Sequence, residues 1–161
     1  MLPLAQTYAS WLAVLRIYTG VFWLMHGIPK LLNPAFAGPG GMMADMVRGN
    51  VAQTSGPYHD FLVHVVLPNA PLFAHLVAWG ETLVGVSLLL GLFSRLGGLV
   101  GVFLPLNYWL MKGDFVHLTS LGGLDWGAMA LSFTHLALPT GLVLGLDAYI
   151  ARRPRATGGK S

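Results

Sequence analysis

From Leu72 to Phe93 the chain reads LFAHLVAWGETLVGVSLLLGLF, 22 residues with a single charged side chain, Glu81. A helix of that length rises about 30 Å, the thickness of a bilayer's hydrocarbon core. Comparable apolar runs fall at about 11–32, 96–111 and 124–148, so the spacing predicts four membrane-spanning helices, with the second at 72–94. Composition agrees: 9% of the residues are charged, against about 25% in water-soluble domains. The expected fold class is all-α, an integral membrane four-helix bundle over residues 1–150 with a basic tail at 151–161.

Small residues at 35–38, AFAG, have the look of a signal-peptide cleavage site. No basic residue precedes the first apolar run, however, and Arg16 interrupts it, so this run is expected to remain as a helix. An even number of spans places both ends on one side. Arg95, Arg152, Arg153, Arg155 and Lys160 share that side, against Lys30, Arg48 and Lys112 on the other. The excess of basic residues predicts cytoplasmic termini and a multi-pass topology. In the long segment 33–71, YHDFLVHVVLP places Phe61, Leu62, Val65 and Val66 on one face, which predicts a short interfacial helix in the first extramembrane loop.

The chain contains no cysteine. Thiolate catalysis, iron–sulfur ligation and Cys-based zinc sites are excluded, and with them the quinone-linked thiol enzymes that share a four-helix membrane plan. The basic residues are not interleaved with aromatics on a polar face, so no nucleic-acid partner is indicated.

Each apolar run carries a polar stripe at helical spacing: Arg16, Thr19, Trp23, His26 and Lys30; Ala74, Ala78, Glu81, Gly85 and Leu88; Val100, Leu104 and Asn107; Asp125, Ala128, Ser132, His135 and Pro139. Counting from the cytoplasmic edge, Glu81, Asn107, His135 and His26 all fall at about 18–24 Å, with Arg16 near 9 Å. Such groups are expected to face the bundle interior, with Glu81 paired to His26 or Arg16. Pro139 and Pro105 free the carbonyls of His135 and Gly101. Gly97 and Gly101 form a GxxxG, which suits either a homo-oligomer or packing within the chain.

LRIYTGVFWLMHGIPKL and LVAWGETLVGVSLLLGLFSRLGGL resemble the DoxX/DoxD group of four-span bacterial and archaeal membrane proteins. The resemblance rests on the early Arg, the HG..K at the end of the first span, the GE…G…LLLGL..R and the closing GLDAYI. It covers about 15–150 and is densest in the second span. FLVHVVLPNAPLFAHLVAWGE is similar to the DoxD-like branch, which includes the membrane subunit of a thiosulfate:quinone oxidoreductase. The resemblance implies a location in the bacterial or archaeal cytoplasmic (inner) membrane, electron transfer from a sulfur compound to quinone, and a protein partner subunit. The acid that many relatives carry early in the last span is the shorter Asp125 here.

Glu81 has three readings: a structural intramembrane ion pair, a contact with a lipid headgroup or partner, or a quinone and proton site, since quinone reduction takes up two protons with two electrons. In the third, Glu81, His26 and Arg16 carry the chemistry, while Trp23, Tyr108, Asn107 and His135 line a cofactor site for quinone. His26 and His135 as axial ligands of a haem, and His59, His64, His75, His117, Asp60 and Asp114 as a metal site, are the weaker expectations. Three classes of function stay open: a quinone-linked oxidoreductase subunit, a non-catalytic membrane anchor or assembly partner, and a small transporter or proton path.

Overall fold

Nothing in the first apolar run breaks a helix before its final turn, and Pro3–Leu32 form one 30-residue helix, α1, with Pro29 near its end. The structure, a computed structural model, describes residues 3–113 and 123–152, which are all helix and turn. Asn33 caps the short α2 (Pro34–Ala37) by accepting from the Ala35 amide, and α3 (Met42–Asn50) and α4 (Gly56–Phe61) follow. A π turn extends α4 through Leu62–Val66. Then come α5 (Ala70–Leu90), α6 (Ser94–Met111), α7 (Leu124–Ala137) and α8 (Leu146–Ala151).

The second run is helical from Ala70 and stops at Leu90, four residues before the expected end, because Gly91 adopts a left-handed φ of 63° and turns the chain. The fourth run departs further from expectation. It is not one helix over 124–148: α7 ends at Ala137, ahead of Pro139. Proline lacks the N–H the next turn needs and forces the preceding residue out of the helical region; Leu138 is extended, at φ −106° and ψ 141°. A 3-10 turn, Thr140–Leu142, and the short α8 replace the missing helix. At 14 residues α7 rises about 21 Å. Among the described residues, two segments are long and apolar enough to cross a bilayer, Thr7–Leu32 and Ala70–Leu90.

α1 and α5 pack antiparallel along most of their length, as do α6 and α7, and α5 joins the two pairs by packing on α6. Glycine lets the first pair touch backbone to backbone. A Cβ on Gly20 would lie 2.6 Å from the Leu89 nitrogen, and one on Gly27 2.6 Å from the Thr82 nitrogen. Gly20 and Gly27 are seven residues apart, as are Leu89 and Thr82, so two turns of each helix run in fixed antiparallel register. The Gly97–Gly101 motif is used inside the chain, Gly97 against Ser87 and Gly101 against Ser132 and Val84.

The packing is inside out. Arg16, Thr19, Glu81, Ser132, His135 and Thr140 are buried, while Val21, Met25, Leu76, Leu83, Leu99 and Phe133 are exposed. In water such outer faces would drive association; against lipid they are the favourable arrangement. The segment between α1 and α5 folds back over the end of the bundle. Leu62 and Val66 are buried with Met43, Val47, Ala74, Ala78 and Met111. Phe61 and Val65, expected on the same face as Leu62 and Val66, are exposed instead.

Gly27→Ala is expected to lower stability by about 1–3 kcal/mol, because its methyl group meets backbone that cannot yield. Gly127→Ala, with nothing within 4 Å of the new methyl, should leave stability unchanged or raise it by up to about 1 kcal/mol through helix propensity. Thermal unfolding of the detergent-solubilised protein checks both; equal destabilisation by the two changes would refute the close contact.

Candidate functional site

Glu81 is 2% exposed. On insertion scales an unpaired carboxylate in the middle of a membrane helix costs roughly 2.5–3.5 kcal/mol. Its partner is Lys30: the ammonium donates to Oε1 at 2.5 Å and to Oε2 at 2.6 Å. The Lys30 ammonium also donates to the Tyr108 hydroxyl at 3.2 Å, and that hydroxyl to Glu81 Oε1 at 3.4 Å. Lys30 Nζ lies 5.2 Å from the Tyr108 ring centre and 5.7 Å from that of Phe36, so aromatic faces complete its surroundings. One carboxylate, one ammonium and one phenol therefore form a hydrogen-bonded cluster contributed by α5, α1 and α6.

The cluster forms one wall of a partly open cavity of about 210 Å³ lined mainly by α1, α5, α6 and α7. Phe22, Trp23 and Pro105 supply apolar walls, with His26 beside them. Phe22 stacks against His26, ring centres 4.4 Å apart, and meets Trp23 edge-on at 5.6 Å. A second ion pair, Lys112 to Asp125 at 2.5 Å, closes the side where α6 ends and α7 begins. The Asp125 carboxylate is 18% exposed and the Lys112 side chain 43%, so the second pair is much the wetter of those two.

A separate polar level lies toward the α5–α6 turn. Arg16, fully buried, donates through Nη1 to the Leu88 and Leu89 carbonyls at 2.5 and 3.2 Å, and through Nη2 to those of Val143 and Leu144 at 3.4 and 3.0 Å. Leu144 has a left-handed φ of 50°, a conformation most side chains avoid, and its carbonyl faces the guanidinium. Arg16 thus joins the C-terminal end of α5 to the broken part of the fourth run. His135 hydrogen-bonds Thr19 at 3.0 Å and Thr140 at 3.2 Å. Asp147 accepts from the amides of Phe93 and Ser94 at 2.7 and 3.0 Å and from the Ser94 hydroxyl at 2.8 Å. Because the start of α6 has no side-chain cap of its own, Asp147 satisfies its orphan donors from α8.

The structure corrects the expected partners of Glu81. His26 donates its Nδ1–H to its own helix, to the Phe22 carbonyl at 2.8 Å, and lines the cavity without pairing with the carboxylate. Arg16 is held at Leu88, seven residues or about 10 Å along α5 from Glu81. The four polar groups also do not share one depth. His135 belongs to the Arg16 level, because residues 138–145 fold back and add no rise. Asn107 donates to its own Phe103 carbonyl and borders a different, apolar groove. Burial raises the Tyr58 hydroxyl above its usual pKa, keeping it a donor to the Asn107 backbone carbonyl at 3.0 Å. Tyr108 and Trp23 do border the cavity with Glu81; Trp23 Nε1 donates to Ser132 at 3.1 Å.

The sequence counts Lys30 and Lys112 among the basic residues of the non-cytoplasmic side, and Lys30 on the polar stripe of the first span, without marking either as a site residue. A signal for Lys30 existed: it follows Gly27 by three residues, and Gly27 is where α1 touches α5. His117 and Asp114 lie outside the described residues, and the described residues hold no grouping of three or more His, Asp or Glu suited to a metal.

Replacing Lys30 by Met should cost about 3–5 kcal/mol, since it strands a buried carboxylate. Adding Glu81→Gln should recover part of that loss, with a coupling of about 1–3 kcal/mol between the two sites. A double-mutant cycle on unfolding checks this, with His26→Ala/Glu81→Gln as the pair expected to be nearly additive.

No curated protein and no solved structure matches the chain. A family model, DoxX, matches residues 11–112, from the first third of α1 to the end of α6. That segment holds Arg16, Trp23, His26, Lys30, Glu81 and Tyr108, whereas Asp125 and His135 fall beyond it. The match spans more than half of the chain, which therefore belongs to the DoxX family of membrane proteins.

Proposed function

We propose that this DoxX protein is a four-span inner-membrane subunit of a quinone-linked oxidoreductase, with the Glu81 cavity as the site of the quinone ring. The observation that carries the reading is the convergence of Lys30 and Tyr108 on one buried carboxylate at the wall of a cavity that also offers the apolar faces of Phe22, Trp23 and Pro105. The residues suit such a ring: its oxygens accept hydrogen bonds, Lys30 and Tyr108 donate them, and Phe22 and Trp23 offer flat apolar surface. A bound quinone supplies a two-electron, two-proton acceptor. Within the chain, Lys30 and Tyr108 orient the ring, Glu81 holds and passes a proton at Oε1, and the apolar walls exclude water. Arg16 and His135 act as scaffold for this site. With no cysteine available for thiolate or iron–sulfur chemistry, electrons arrive through a partner subunit. The DoxD-like stretch FLVHVVLPNAPLFAHLVAWGE favours a sulfur compound, thiosulfate, as their source.

A specific observation supports a second reading, a non-catalytic anchor or assembly partner. The lysines at the cavity, Lys30 and Lys112, are each paired to an acid, as a purely structural core would require.

Thiosulfate-dependent quinone reduction in membranes separates the two readings. If Glu81 moves protons, Glu81→Gln lowers turnover about a hundredfold or more at unchanged protein level. If the protein is an anchor, the change lowers abundance or complex recovery and leaves turnover per molecule alone.

For topology, Arg95 and Arg152 mark the cytoplasmic side. The cysteine-free chain allows a direct test: a cysteine at Ala151 should be protected from an impermeant thiol reagent in intact cells, and one at Gly49 should react. The reverse pattern would invert the orientation.

A further inference from the structure

An apolar groove of about 320 Å³ runs along the outside of the bundle between α5, α6 and the α4 segment. Its walls include Phe61, Leu62, Leu76, Phe103 and Leu104. Tyr108 borders both this groove and the Glu81 cavity. α3 covers both as well, with Met46 over the cavity and Met43, one turn earlier, over the groove. Methionine side chains are unbranched and readily change shape, so the cover can adapt around something that passes beneath it.

Consecutive residues of α5 face the two spaces: Glu81 the cavity and Gly80 the groove. Gly80 does not serve close helix packing. A Cβ there would meet only the methyl groups of Leu104, at 3.4 and 3.7 Å, whereas one on Gly85 would lie 2.7 Å from Leu24. The missing side chain at Gly80 leaves width in the groove beside the polar cluster.

We infer that the cavity and the groove together form one site for an amphiphile, its polar ring against Glu81 and Lys30 and its apolar chain leaving past Tyr108 beneath Met43 into the groove at Gly80. This rests on the quinone reading of the cavity and extends it: the ligand is a lipid-tailed quinone, and Gly80 sets the room for its tail. Continuity of the two spaces favours this occupant. A polar cavity large enough for a ring opens beside an apolar channel that shares its wall and its cover. Independent annular lipid would fill the groove without regard to what the cavity holds.

The test compares two probes on the protein in lipid discs, a benzoquinone without a side chain and its decyl-bearing analogue. The quantity read is the ratio of Kd between Gly80→Met and the unaltered protein for each probe, in which partition of the probe into lipid cancels. Loss of groove contact by two methylene groups should weaken the decyl probe by about tenfold or more, with the ring-only probe changed less than about twofold. Gly80→Ala, whose methyl has room, should bind both as the unaltered protein does. Equal ratios for the two probes would overturn the groove as the tail site and leave the ring site standing. If the unaltered protein binds neither probe, both the quinone reading and this one fail.

Discussion

A carboxylate in the middle of an apolar helix has to be answered from a neighbouring helix, and the neighbour's register decides by which residue. Here the register comes from glycine. Gly20 and Gly27 bring α1 so close to α5 that backbone meets backbone. That contact sets Thr82 level with Gly27 and leaves Lys30, one turn on, within reach of Glu81. The ion pair is thus a consequence of where a side chain is absent. Sliding either helix by one turn would offer Glu81 the half-exposed His26 or nothing charged at all.

The same reasoning explains why Arg16 is not the partner. A guanidinium has five donors in a rigid fork and is content with neutral acceptors if enough of them converge. The last turn of α5 supplies the carbonyls of Leu88, which also accepts from the Gly91 amide, and Leu89, and the broken stretch at Val143 and Leu144 supplies two more. Helix C-termini also carry partial negative charge. Arg16 therefore finds its compensation where helices end, and Gly91 makes the space: a Cβ there would collide with the guanidinium.

Much of this was legible in the sequence, though unevenly. The all-α organisation, the interior position of Glu81 and the polar stripe through Arg16, Thr19, Trp23, His26 and Lys30 follow from hydropathy and the 3.6-residue period. The partner of Glu81 does not, because depth was counted from each run's own edge, as if the helices began level. In fact α5 extends past the end of α1, where it supports the fold-back of α3 and α4. Pro139 was visible as a defect, yet the loosened carbonyl it implies is a smaller event than the ending of α7 and the fold-back that carries His135 to the Arg16 level. The π turn at Leu62–Val66 left no periodic trace, since one widened turn shifts a face without changing composition.

The two polar levels differ in what could be moved. Arg16 is fully buried and bonded to main-chain carbonyls, so releasing it would require the end of α5 and the 138–145 stretch to open together. Lys30 is 23% exposed and held by two side chains, Glu81 and Tyr108, rather than by main chain. Between the levels stands the Trp23–Ser132 hydrogen bond. An indole N–H can donate but cannot accept, so Trp23 cannot relay a proton from Ser132 to the cavity. The cluster around Glu81 is therefore separated at Trp23 from the scaffold beneath it, which the main-chain contacts of Arg16 and the close glycine contacts hold together.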